Sequence, residues 1–180
     1  MAQTATARSA RTHSVRRAGK RLVAKPKGAE WERFRRSLAT GIADTNAYLM
    51  LLGLDVVDSG QLLRSVERGL PYAAFERLVA NTSLPSDDAL VLVNIPRRTL
   101  TRRKREGRFR EDESDRLLRA SRIVARALGL FEGDRDAATH WLSEPQKALG
   151  GESPLVIART EVGALEVERL IGRLEHGVFT

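Results

Sequence analysis

Arg97, Arg98, Arg102 and Arg105 fall within one short stretch, Arg97-Arg98-Thr99-Leu100-Thr101-Arg102-Arg103-Lys104-Arg105. A guanidinium is a planar fork that donates two parallel hydrogen bonds, and guanine presents O6 and N7 as matching acceptors in the major groove. Thr99 and Thr101 add hydroxyls that reach phosphates or bases. The chemistry of such a cluster is recognition, not bond breaking. No catalytic set stands beside it. His13, His140 and His176 lie too far apart for HExxH or paired-histidine spacing. Gly150-Gly151 is not followed by Lys-Ser/Thr, and Gly19-Lys20 lacks the preceding strand and glycine, so neither reads as a phosphate loop. The carboxylates sit on charged helix faces, where solvation is the default. The expectation is a protein with no catalytic residue, no metal and no cofactor, and not an enzyme.

A second set lies at the end of the sequence: Arg173, Glu175, His176, Val178, Phe179 and Thr180. Two apolar residues beside a free carboxylate are an unusual group to leave in water. A pocket on a partner would use all three.

The arginines need a helix to hold them. A short apolar-striped helix over about Asp87–Val93, the turn Asn94-Ile95-Pro96 and a basic helix over Pro96–Arg105 have the form of a helix-turn-helix. Its second helix enters the major groove, with Leu100 inward and Arg97, Arg98, Thr101, Arg102 and Arg105 around the opposite face. Counting Arg103, Lys104, Arg108 and Arg110, the segment 97–110 meets one acid, Glu106.

Upstream, Trp31, Phe34 and Leu38 share a helix face that Gly41 ends, and a second helix runs from about Asp44 to Leu52. Ser59 is placed to cap a helix with the stripe Leu62, Leu63 and Val66. Gly69 stops it, and Pro71 starts another with Ala74, Phe75 and Leu78 inward. Downstream, Glu111–Phe131 is the longest regular helix, with Asp112/Arg116 and Asp115/Arg119 as i,i+4 pairs. Asp134 caps a helix whose inward face holds Trp141 and Leu142. Ser143 is placed to cap the next, which Gly150 stops, while Ser153-Pro154 and Thr160 start the last two. In the final helix, Gly163, Val167, Leu170, Ile171 and Leu174 form one stripe, and Glu166, Arg169 and Arg173 face away. Gly172 inside that helix costs up to about 1 kcal/mol relative to Ala, which a close helix contact would explain.

Composition agrees with this all-α reading. The chain is 42% hydrophobic and 30% charged, as in soluble globular proteins. Cysteine is absent, which suits a reducing, cytoplasmic setting, and no apolar run approaches the ~20 residues of a membrane span. The net charge is +8. Residues 1–28 hold Arg8, Arg11, Arg16, Arg17, Lys20, Arg21, Lys25 and Lys27 without an acid, and the rest of the chain has as many acids as bases. This arm reads as disordered. An arm adding phosphate contacts and a solvated tail both remain open.

The order Asp134…Trp141-Leu142…Pro145…Ala148-Leu149-Gly-Gly…Ser153-Pro154-Leu155…Gly163…Val167…Leu170…Gly172-Arg173-Leu174-Glu175-His176-Gly177-Val178-Phe179 resembles the toxin-binding domain of bacterial Xre/MbcA/ParS-type antitoxins. The basic helix resembles the Xre-like helix-turn-helix that precedes that domain. The resemblance implies an all-α chain with a basic arm (1–28), a helix-turn-helix domain (29–131) and a toxin-binding domain (132–180). It implies a RES-type, NAD-degrading toxin as partner; the apolar terminus adds the expectation that Arg173, Glu175, His176, Val178, Phe179 and Thr180 close that toxin's cleft. It also implies operator DNA, contacted by Arg97, Arg98, Thr99, Thr101, Arg102 and Arg105 of a homodimer. The alternative is a dimeric helix-turn-helix regulator with no toxin.

Overall fold

A computed structural model describes residues 28–39, 46–55 and 58–177. The basic arm before Gly28, the helix stop at Gly41, the start of the second helix and Val178, Phe179 and Thr180 fall outside the described residues. The described chain is all-α, as its capping pattern predicts. The elements are α1 (Ala29–Ala39), α2 (Tyr48–Leu51), α3 (Ser59–Glu67), α4 (Ala73–Thr82), α5 (Ser86–Val93), α6 (Arg97–Glu106), α7 (Glu111–Leu130), α8 (Arg135–Ser143), α9 (Pro154–Ile157) and α10 (Glu161–Glu175). A 3-10 turn, Lys147–Leu149, links α8 to α9.

α7 is the axis of the molecule. Its twenty residues bury Leu117, Ala120, Ile123, Val124, Ala127 and Leu128 on one broad side. α2, α5, α8 and α10 all pack on it. None of these surrounding helices except α10 reaches the ~12–15 residues that give an isolated helix marginal stability, so shared burial holds them. One continuous apolar cluster results. It runs from Phe34 and Leu51 through Leu78 and Leu92 to Leu142, Leu155 and Ile171.

Several caps stand where the sequence puts them. Asp134 accepts from the N–H groups of Asp136 and Ala137, both at 3.0 Å, and Thr160 accepts from Gly163 at 3.1 Å. Pro154 occupies the first turn of α9, and Gly150 adopts φ 72° after the 3-10 turn. Others differ. Asp58, not Ser59, caps α3 by accepting from Gln61 N–H at 2.8 Å. A carboxylate one residue earlier outcompetes the hydroxyl for the same donor. Leu63 is 60% exposed, because α3 turns only the Val66 side inward. Ser143 closes α8 instead of opening the next turn; its hydroxyl donates to Thr139 O at 2.9 Å and lies 3.3 Å from Asp88 Oδ2. Asp112 and Arg116 pair as expected. Arg119 instead donates to the carbonyls of Ala158 (3.2 Å) and Arg159 (2.7 Å), so it ties α7 to the loop before α10.

The two α10 glycines have opposite surroundings. A Cβ on Gly163 would lie 1.9 Å from the Ile157 carbonyl oxygen, so only glycine lets α10 start that close to α9. A Cβ on Gly172 would meet nothing within 4 Å. The close helix contact expected at Gly172 is absent from the described chain.

Candidate functional site

α5 ends at Asn94, whose φ of 52° and ψ of 46° put it in the left-handed region. Asparagine tolerates that conformation better than most residues because its short amide can bond locally. The turn continues through buried Ile95 to Pro96, which cannot extend α5 and fixes the approach to α6. Helix, left-handed residue and helix therefore make the predicted helix-turn-helix. Arg116 Nη1 donates to the Asn94 carbonyl at 3.0 Å, and Arg159 Nη2 donates to its Oδ1 at 2.9 Å. The turn is thus gripped by the long helix and by a residue from the C-terminal half.

α6 turns one arc to solvent and one to the protein. Arg97, Arg98, Thr101, Arg102 and Arg105 are all exposed. Arg98 and Arg105 make no ion pair or hydrogen bond among the described residues, so their forks are available. Arg97 pairs with Asp87 across the turn, and Arg102 Nε lies 3.9 Å from Glu106. Both pairs are on the surface, where a competing phosphate displaces a carboxylate at little cost. Thr101 Oγ1 donates to Arg97 O at 3.1 Å. Thr99 is half-buried and borders a small recess of about 160 Å³ with Pro96, Arg102, Arg110 and Arg116. Of the six candidate contacts, it lies furthest from the exposed arc.

Arg103 does not belong to the basic surface. It is 3% exposed, and its fork grips the Glu113 carboxylate, with Nε to Oε2 at 2.6 Å and Nη2 to Oε1 at 2.9 Å. Glu106 closes on Nη1, and the Arg110 N–H donates to Glu113 Oε2 at 2.9 Å. Hydrogen bonding to Glu113 raises the Arg103 guanidinium above its ordinary value despite burial. Burial pushes the Glu113 carboxyl up, but the Arg103 fork, the Arg110 N–H and the charge of Arg116 push harder, holding it below its usual range. This clamp fixes α6 against the first turn of α7. The sequence signal was present in Glu113, three residues into α7, but the helix dipole alone accounts for an acid there. On the far side, Lys104 reaches Glu76 at 3.6 Å and lies over the Tyr72 ring.

The second candidate set divides across α10. Arg173 is half-buried and His176 exposed on the side away from the core, where with Arg169 and Gly172 they line a groove of about 370 Å³. Glu175 points to the other flank and meets Arg126 at 3.1 Å. It completes a ladder in which Arg122 bonds Glu161 at 2.8 Å and Glu168 at 2.6 Å. The ladder sets the register of α10 on α7. Among the described residues, no group of His, Asp and Glu could hold a metal ion, and no helix is long and apolar enough to cross a membrane.

Comparison with known proteins matches two stretches of the chain. Residues 61–122 match the Antitoxin Xre-like helix-turn-helix domain, and residues 126–177 match the Antitoxin Xre/MbcA/ParS C-terminal toxin-binding domain. The chain is 40% identical over 142 residues to an Antitoxin Xre of Yersinia enterocolitica, covering 78% of this chain and 96% of that one. It is 37% identical over 124 residues to an Antitoxin Xre of Photorhabdus laumondii, covering 68% and 84%.

Proposed function

Because this chain belongs to the Xre antitoxin family, with both a helix-turn-helix and a toxin-binding domain, we propose that it silences a RES-type, NAD-degrading toxin by occlusion and represses its own operator. The observation that carries the DNA half is the exposed arc of α6, rigidly seated by the buried Arg103–Glu113 clamp. Arg97, Arg98, Thr101, Arg102 and Arg105 contact base edges and phosphates in the major groove, with Thr99 at the margin. One short helix supplies few contacts, so two copies bind half-sites about one or more helical turns apart. The toxin half uses Arg173 and His176 on the outward side of α10, Glu175 on its flank, and Val178, Phe179 and Thr180 beyond it. These close the toxin's cleft by shape, with no chemistry on the antitoxin. The antitoxin relatives support a regulatory rather than catalytic role.

Two variants separate the activities. Changing Arg97, Arg98 and Arg102 to Ala abolishes operator retardation at moderate salt while toxin inhibition survives; loss of both together removes the two-site reading. Removing residues 177–180 restores NAD consumption by the toxin. Full inhibition by the shortened chain rules the stopper out. A regulator without a toxin is the second reading, favoured if no RES-type protein copurifies with the chain.

A further inference from the structure

Among the described residues, the outward side of α10 is an unpartnered stripe built at three- and four-residue steps. Val162 is 77% exposed and Leu165 is 45% exposed. Arg169, Gly172, Arg173 and His176 continue the same side along the helix. The opposite side, with Ala164, Val167, Leu170 and Ile171, is buried. α10 therefore carries two faces and its own core uses one.

Gly172 decides what the second face is for. Its φ lies outside the positive region, and a side chain there would meet open space. Nothing within the described chain requires glycine, although glycine weakens a helix interior. Gly163, by contrast, is required by the Ile157 carbonyl. A helix glycine with no reason inside its own molecule gains one if another backbone approaches it, since only a missing Cβ admits that approach.

The charge along the stripe selects the kind of molecule. Its first half is apolar. In its second half Arg169 is engaged by Glu166, while Arg173 and His176 have no partner among the described residues. Two copies laid parallel would set Arg173 against Arg173. Two copies laid antiparallel would set Val162 and Leu165 against the cationic end. A two-fold contact must be self-complementary, and this stripe is not. We propose that the Val162–His176 face of α10 seats a ridge of the toxin that is apolar at one end and carboxylate-bearing at the other, with Gly172 as its point of closest approach. This rests on the toxin-binding reading above: the whole of α10 lies within the matched toxin-binding domain, and Arg173 and His176 join the stripe to the proposed stopper.

The test uses full-length protein and a catalytically silenced RES-type toxin. Gly172→Ala removes a helix-weakening residue, so the free chain unfolds at a higher midpoint, yet toxin dissociation constants rise at least about tenfold. The paired variant Val162→Ser/Leu165→Ser weakens binding at the other end of the stripe without lowering the midpoint, and both variants retain operator DNA. Wild-type affinity in both variants overturns the proposal and leaves the toxin-binding reading intact. Unchanged toxin affinity with an altered mass of the free chain in solution also overturns it, assigning the face to a second copy. A wild-type chain that does not bind the toxin removes the underlying reading as well.

Discussion

At the scale of single residues, Arg103 and Glu113 show how one basic run contains two kinds of arginine. Both charges are nearly inaccessible, so each depends on the other for its solvation. Removing one partner strands the other. Glu113→Leu is expected to lower unfolding stability by about 3 kcal/mol or more, measured by urea denaturation. The double change Arg103→Met/Glu113→Leu should cost much less than the two single changes together, because it removes both buried charges. Equal additive losses would mean that the pair does not act as a unit. The pH dependence has a fixed sign. The Glu113 carboxyl titrates below the ordinary glutamate range in the folded chain, so its contribution is present above that range and is lost as pH falls through and below it. The Glu113→Leu protein should lack this part of the acid-induced loss.

At the scale of elements, the turn and several of the caps are legible in the sequence, because each depends on residues within a few positions; the caps expected of Ser59 and Ser143 are not the ones formed. Asn94-Ile95-Pro96, Asp134, Gly150 and Thr160 all act locally, and local chemistry placed them. The clamp role of Arg103 is not legible in the sequence, because its partner lies ten residues away across a loop, in an acidic triplet that the helix dipole explains equally well. Leu63 was misread because period alone does not say how wide the covered side of a short helix is. The α10 glycines were indistinguishable in sequence, since what jams Gly163 is a backbone oxygen of another element. Gly163→Ala is expected to destabilise the chain by about 1–3 kcal/mol, as forced overpacking does, and to weaken toxin inhibition by unseating α10. A neutral thermal shift for that variant would show that α10 relaxes outward freely.

At the scale of the whole molecule, the two matched domains do not have separate cores. α7 contributes to both, and the one apolar cluster built on its buried side includes residues from Leu51 to Ile171. Equilibrium unfolding should therefore be one transition. The sequence has two tryptophans, Trp31 on α1 in the N-terminal half and Trp141 on α8 in the C-terminal half. Single-tryptophan chains, Trp31→Phe and Trp141→Phe, should follow their own fluorescence with midpoints that coincide with helix loss by circular dichroism. Separated midpoints would show that the halves melt independently. The sequence pointed to two functional halves because motifs are local. It could not show that one hydrophobic interior serves both.

The grip of Arg159 on Asn94 has a practical consequence for anyone recombining antitoxins. A chimera cut at the end of α7 would replace Arg159, which holds this hinge, and the two carbonyls that Arg119 grips. Exchanging toxin preference while keeping the DNA reader intact would therefore require transplanting those anchoring residues along with the new half.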